Sequence, residues 1–262
     1  KDYVYEKSKE FLLDLNIKGT YTGVDAAQIQ LSEAVQKRGN HDLALSLHSE
    51  TGIETFQTTE QFDLIASVYG LEYSPLEQSL PLLKKLLAPN GQLTLLMHHA
   101  ESVITEMSVK ALTEFDFDQM KKIVTYINDI NDELNQSQGN LKALSKSPKA
   151  EAARESVNEF ISSLMNKSTA ERNPILVDFS QNVLAFFKKV RQPEQQRRDF
   201  IDGILPDFHA SKERFTQMVN VARNEKQIKT FKTQLTAAGF NNVKIDPINN
   251  EGVPVAWNVH AN

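Results

Sequence analysis

His98 and His99 follow directly on the apolar run Gln92-Leu-Thr-Leu-Leu-Met97. Histidine ordinarily titrates near neutral pH, so one standing at a strand end can take a proton from a substrate hydroxyl or ammonium. Neighbouring strand residues diverge, so at most one of the pair faces a given site, and the other is expected to hold the start of the next helix. With no further ligand at suitable spacing, the pair does not read as a zinc site. Asp25 ends the run Thr20-Tyr-Thr-Gly-Val-Asp25. A carboxylate there can accept hydrogen bonds from both hydroxyls of a nucleotide ribose, and it can also cap a helix starting at Ala26. Glu72 and Tyr73, a few residues beyond the run Phe62-Asp-Leu-Ile-Ala-Ser67, are candidates for substrate contact. The basic clusters Lys188-Lys189-Val190-Arg191 and Arg197-Arg198 could hold an acidic substrate, but are expected to be solvated helix faces. Phe179, Phe186, Phe187 and Phe200 could wall an apolar chamber, but are expected to be core.

Positioning such residues requires strands that end together. Residues 20–25 and 43–47 read as short strands, and residues 27–37, with Ile29, Leu31 and Ala34 at helical spacing, read as a helix between them. Residues 62–67 form another strand. A helix over residues 76–87 is stopped by Pro89-Asn90-Gly91, and residues 92–97 are apolar enough for a strand buried on both faces. A further helix is expected over residues 5–15. Strands separated by helices predict right-handed crossovers and a mainly parallel sheet.

From about residue 102 the texture becomes helical. One apolar stripe runs through Phe117, Met120, Val124, Ile127 and Leu134, a second through Val157, Phe160, Ile161, Leu164 and Met165, and a third through Val183, Leu184, Phe186, Phe187 and Val190. Gly139, Pro148, Pro174, Pro193 and Pro206 divide this block into several helices. Two β-like runs, residues 242–248 and 253–260, close the chain around Asn249-Asn250-Glu251-Gly252, a hairpin signal. The expected organisation is a core of residues 1–101 and 236–262, interrupted by a helical block of residues 102–235. That block must return the chain to the same sheet and is expected to cap its edge.

The 262 residues, 40% of them apolar, suffice for one large α/β domain or a core with a smaller cap. No apolar run approaches the roughly 18 to 20 residues needed to span a bilayer, and the first residues lack the apolar stretch of a secretory signal. The absence of cysteine excludes disulfides, thiolate metal sites and a cysteine nucleophile, and a cytoplasmic location is expected. A net charge of −5 argues against nonspecific nucleic-acid binding, which leaves a small-molecule substrate as the expectation and a protein substrate as the alternative.

Gly23-Val24-Asp25, with the helix start Ala26-Ala27-Gln28-Ile29 behind it, resembles the motif after strand two of class I S-adenosylmethionine-dependent methyltransferases. Phe62-Asp-Leu-Ile-Ala-Ser-Val-Tyr-Gly-Leu-Glu-Tyr73 resembles the family's strand-four motif. Leu86-Leu-Ala-Pro-Asn-Gly-Gln-Leu93 resembles its turn before strand five, and Leu235-Thr-Ala-Ala-Gly-Phe-Asn-Asn-Val243 its helix-to-strand-six junction. The four occur in the family's order, cover both ends of the chain and leave the helical block unmatched.

The resemblance implies a Rossmann-like α/β fold: a mainly parallel sheet, a C-terminal antiparallel hairpin and a long all-helical insertion before the last two strands. It implies S-adenosyl-L-methionine as cofactor, with Asp25 on its ribose and Ala26 alongside. Glu50 would face the adenine amine, its alternative being a solvated loop carboxylate. Ser67, Val68 and Tyr69 would line the pocket, with core packing the alternative for Tyr69. Glu72 and Tyr73 would contact the acceptor. Methyl transfer from a sulfonium requires alignment and, for a hydroxyl or ammonium acceptor, a base, the role open to His98 or His99. The family's glycine-rich loop after strand one is absent from the sequence, so strand one and the loop are expected upstream of Lys1. Two other readings stand beside this one. An NAD(P)-dependent oxidoreductase also uses an acidic residue after strand two, and a noncatalytic module could keep the fold and use the helical block to bind a protein partner.

Overall fold

The computed structural model describes residues 19–29, 43–113 and 115–262. In chain order they form β1 (Gly19–Val24), β2 (Leu43–His48), a 3-10 turn at Ile53–Thr55, β3 (Phe62–Val68), a second 3-10 turn at Leu71–Tyr73, α1 (Leu76–Leu86) and β4 (Leu87–His98). Then come α2 (Val103–Thr113), α3 (Phe117–Gln136), α4 (Leu141–Leu144), α5 (Pro148–Met165), α6 (Pro174–Lys189), α7 (Glu194–Val221) and α8 (Glu225–Ala237). The hairpin strands β5 (Lys244–Asn250) and β6 (Val253–Ala261) end the chain. The helix expected over residues 5–15, most of that over 27–37, and the strand expected upstream of Lys1 lie outside the described residues.

The protein is mixed α/β and separates into two compact units. The first draws its described residues from 1–97, 225–248 and 256–262, the second from 98–224 and 249–255. In the first unit β1 and β2 form a parallel pair, and β3, β4, β6 and β5 form a four-stranded sheet in that order. β3 and β4 run parallel, with Leu64 opposite Gln92 and Val68 opposite Leu96. Leu93, Leu95 and Met97 alternate onto one face of β4 and are fully buried. The other face of that strand is only half-buried at Thr94, Leu96 and His98, so β4 is not the doubly covered strand its apolar run predicts. The covered face packs on Leu80 and Leu83 of α1 and on Ile228, Phe231 and Leu235 of α8, together with Trp257 and Val259 of β6. α8, the last stretch of the predicted helical block, thus belongs to the core of the sheet.

α1 ends at Leu86, before Pro89-Asn90-Gly91 is reached, and that turn is an excursion within β4. Phe62 pairs with Leu87 and Leu64 with Gln92, so two residues of β3 oppose a longer stretch of β4. Asn90 takes a φ of 68°, and a β-carbon on Gly91 would stand 2.9 Å from the carbonyl oxygen of Phe62 and 3.0 Å from that of Ala88. At the other end of the sheet Glu251 and Gly252, with φ of 50° and 81°, supply the two left-handed residues that a two-residue hairpin turn of the right twist needs. The open end of the hairpin is closed by reciprocal backbone bonds between Asn241 and Asn262, of 2.6 and 3.0 Å.

The second unit is helical. Its helices α2 to α6 begin on side chains that accept a first-turn N–H: Ser102 for α2, Asp116 for α3, Asn140 for α4, Ser147 for α5 and Asn173 for α6. Pro148 and Pro174 occupy the first turns of α5 and α6, where a missing N–H costs nothing, so these prolines start helices. Pro206 does not divide the block as its type predicts. α7 runs through it, because Ile201, Ile204 and Phe208 on both sides are buried in the common core with Met120, Ile127, Val157, Phe179, Val183 and Phe186. Phe179 meets Phe160 and Phe208 edge to face, with ring centroids 5.8 and 5.4 Å apart. The chain enters and leaves this unit side by side: Arg223 N–H donates to His98 O, and Ala100 N–H to Arg223 O, each at 3.0 Å. No helix among the described residues is long and apolar enough to cross a membrane.

The predicted basic pair splits. Arg198 is exposed and meets Glu194 at 2.9 Å and Asp132 at 3.6 Å. Arg197 lies one turn before Ile201 on the buried face of α7 and is buried itself. Its guanidinium donates to Asn131 Oδ1 at 2.7 Å and also to Asn135 Oδ1 and the Gln192 carbonyl.

Two stability predictions follow from these contacts. Arg197→Met removes the donor and strands buried acceptors, and is expected to cost about 2–4 kcal/mol in urea unfolding, with Arg197→Lys intermediate. Gly91→Ala presses a methyl group on two backbone oxygens that cannot swing aside, and is expected to cost about 1–3 kcal/mol in the same measurement.

Candidate functional site

Parallel strands open a crevice beyond their carboxyl ends, and the first unit has one there. A cleft of about 410 Å³ lies between the ends of β1 and β3. Val24, Ile53, Ile65, Leu71, Leu83 and Leu95 supply its apolar lining, and Asp25, Ala26, Thr51, Glu54, Ser67, Tyr69, Tyr73 and Ser74 its more polar part. A larger and more open hollow of about 530 Å³ lies by Gln61, Lys84, Asn90, Asn241, Asn242 and Asn262, toward the amino end of β3. It contains none of the predicted site residues, and the strand-end cleft is the better candidate on chemistry.

On the β1 side, backbone bonds extend the strand pair into its loops. Asp25 N–H donates to His48 O at 3.1 Å, and Thr51 N–H to Asp25 O at 2.9 Å. Ile29 N–H reaches Ser49 Oγ at 2.9 Å. Asp25 Oδ1 accepts the Ala27 N–H at 2.7 Å, a local turn bond; residues 26–29 are not helical, so Asp25 caps no helix among the described residues, and it also lines the cleft.

On the β3 side, Tyr69 N–H donates to Leu96 O at 2.8 Å, carrying the ladder one residue past Val68. Tyr69 takes a φ of 52° to do so, an uncommon and strained conformation for a bulky residue. Ser67 Oγ accepts the Leu71 N–H at 2.9 Å and fixes the start of the 3-10 turn. That turn carries Glu72, only 4% exposed, and Tyr73, 43% exposed. Burial, and after it the Glu72 carboxylate, push the phenols of Tyr69 and Tyr73 above the ordinary tyrosine range, so both remain O–H groups through neutral and mildly alkaline pH.

Asp25, Ala26, Ser67, Tyr69 and Tyr73, drawn from two separate motifs, thus share one cleft. Val68 alternates to the side opposite Ser67 and is 52% exposed. Glu50 is exposed at a φ of 52° and does not line the cleft; Glu54, four residues on, does. Glu72 is buried beside the tyrosines but is not a lining residue. Sequence reasoning missed Thr51, Gly52 and Glu54. No periodicity marks them, and the only local sign is a glycine next to a short turn, where the Glu54 carboxylate occupies the space that a β-carbon on residue 52 would take.

His98 and His99 belong to the second unit. His99 is buried and its Nδ1 accepts the Glu101 N–H at 3.0 Å, so the neutral ring carries its proton on Nε2. Its carbonyl accepts from Ser102 N–H and Thr105 Oγ1–H, which together hold the entry to α2. His98 is half-buried at the end of β4. Among the described residues no group of three or more His, Asp or Glu side chains is placed to hold a metal ion. No family model matches the chain, and no curated protein matches it in sequence.

The Tyr69–Glu72–Tyr73 arrangement predicts a pH effect. The raised phenol pKa values mean that the folded state keeps protons the unfolded chain loses first. Their stabilising contribution is present below the unfolded tyrosine value of about 10 and is lost as pH rises through the folded values. In Glu72→Gln the alkaline ultraviolet transitions assigned to Tyr69 and Tyr73 by Phe replacement should move down only partway, because burial is the larger cause. Transitions that stay where they were in the parent would remove Glu72 from the account.

Proposed function

We propose that this protein is a class I S-adenosylmethionine-dependent methyltransferase of Rossmann-like fold, acting on a small-molecule acceptor. The observation that supports it is the strand-end cleft, which gathers Asp25, Ala26, Ser67 and Tyr69 from the two motifs expected to bind the cofactor, with Tyr73 beside them. Asp25 holds the ribose hydroxyls, while the apolar lining at Ile53, Ile65 and Leu71 accepts the adenine face. Tyr69 and Tyr73 present ring faces and O–H groups at the rim.

Bound there, S-adenosylmethionine would supply an activated methyl group, which would pass to a lone pair of the acceptor as the carbon–sulfur pair returned to sulfur. The protein's contribution is alignment, together with removal of a proton where the acceptor is a hydroxyl or an ammonium. Neither His98 nor His99, the pair expected to supply a base, lines the cleft, and His99 is buried with Nδ1 engaged by a backbone amide.

Calorimetry tests the cofactor assignment. The parent protein should bind S-adenosylmethionine. Asp25→Ala should weaken binding by about 1.5–3 kcal/mol, the loss expected for a charged hydrogen-bond partner, and Asp25→Asn by less, since an amide oxygen can keep the Ala27 bond and one ribose contact. Binding of a nicotinamide dinucleotide in its place would turn the assignment to an oxidoreductase, and binding of neither would favour a noncatalytic module.

A further inference from the structure

The helical unit buries a cation among amides. Arg197, 5% exposed, donates from Nε to Asn131 Oδ1 at 2.7 Å, from one terminal nitrogen to Asn135 Oδ1 and from the other to the Gln192 carbonyl. No carboxylate pairs with it among the described residues. The acidic side chains nearest in sequence are engaged elsewhere: Asp132 and Glu194 with Arg198, Glu133 with the Ser147 hydroxyl at 2.7 Å, and Asp199 with Gln195 at 2.8 Å. Arg197 also stands in the first turn of α7, whose start carries no side-chain cap, so the positive end of that helix adds to its charge. A buried cation without a counter-charge is costly.

Asn131 and Asn135 complete the cluster. They stand one turn apart on one face of α3, and each turns its amide oxygen to the guanidinium, which leaves its Nδ2 as a donor. Asn131 is fully buried, and neither Nδ2 has an acceptor among the described residues. Exchanging oxygen and nitrogen in either amide does not help, because an Nδ2 would then face the guanidinium. The unmet groups are therefore donors around a cation, and one small anion answers both needs. Water accepts hydrogen bonds but must place its own two hydrogens, and it brings no charge.

We infer that the helical unit binds a chloride-sized anion beside Arg197, with the Nδ2–H groups of Asn131 and Asn135 as its donors and the guanidinium as its counter-charge. The enclosure of Asn131 limits the ligand to a monatomic ion or one little larger. The anion joins α3 to the first turn of α7, so its concentration sets the stability of the helical unit. The inference does not depend on the proposed methyl transfer.

Chloride NMR on the full chain reads binding directly, since the resonance broadens when the ion exchanges with a protein site. The parent should broaden it, and bromide should displace the effect. Urea unfolding followed by the helical circular dichroism signal gives a second readout. As chloride replaces gluconate at constant ionic strength, the midpoint should rise and then level off above a dissociation constant on the order of a millimolar, the affinity that a few hydrogen bonds and one buried charge support. Asn131→Asp sets a carboxylate against the guanidinium and removes one donor, so both effects should be lost. Asn135→Asp, at a half-buried position, should act in the same way and serves if the first variant folds poorly. Gln136→Glu adds the same charge at the exposed neighbouring residue and should keep both effects. Absence of either effect in the parent, effects that survive in the folded aspartate variants, or effects that vanish in Gln136→Glu overturn the site, and water then satisfies the amides.

Discussion

The N–H of Tyr69 is bonded to the carbonyl of Leu96 one residue beyond the last regular pair of β3 and β4, and a bulky residue adopts a positive φ to make that bond. The geometry of the cleft depends on this constraint. Because the backbone reverses at Tyr69, Ser67 can receive the Leu71 amide, and the following turn carries Glu72 inward and Tyr73 to the rim. β1 ends in a related way, with the Asp25 amide on His48 and the Thr51 amide on Asp25. In both places a parallel strand is extended by backbone bonds into the loop that follows it. The side chains with chemistry are therefore held by main-chain geometry, which gives them positions a flexible loop would not.

Each unit has its own apolar centre. The sheet unit closes over Leu93, Leu95 and Met97 with two flanking helices, and the helical unit closes over a cluster of phenylalanines and branched residues contributed by its long helices. The helical unit begins and ends at neighbouring points, since Arg223 is bonded to both His98 and Ala100. Such adjacency of ends is what allows a large segment to interrupt a sheet without disturbing the order of its strands.

Much of this was legible in the sequence. The short strand runs, the hairpin at Asn250-Glu251-Gly252 and the apolar stripes of the helical segment are local patterns, and local patterns survive folding. Side-chain environment was harder to read. Pro148, Pro174 and Pro206 are the same residue type, yet two begin helices and one lies inside a helix, because buried contacts on both sides of Pro206 outweigh one missing bond. Arg197 and Arg198 are adjacent and chemically identical, and only the helical phase relative to Ile201 and Ile204 separates the buried one from the exposed one. At the cleft, the strand-end residues Asp25, Ser67 and Tyr69 could be found because strand ends can be found. Glu54 could not, since its placement depends on the path of an irregular loop and on the space left open by Gly52.

The buried Arg197 has a consequence for how the helical unit responds to its surroundings. Every group bonded to its guanidinium is a side-chain amide or a peptide carbonyl, none of which gains or loses a proton over any range in which a protein remains folded. The acceptors that tie α7 to α3 and to the loop before α7 therefore cannot be lost to protonation, as the carboxylate of a buried ion pair would be.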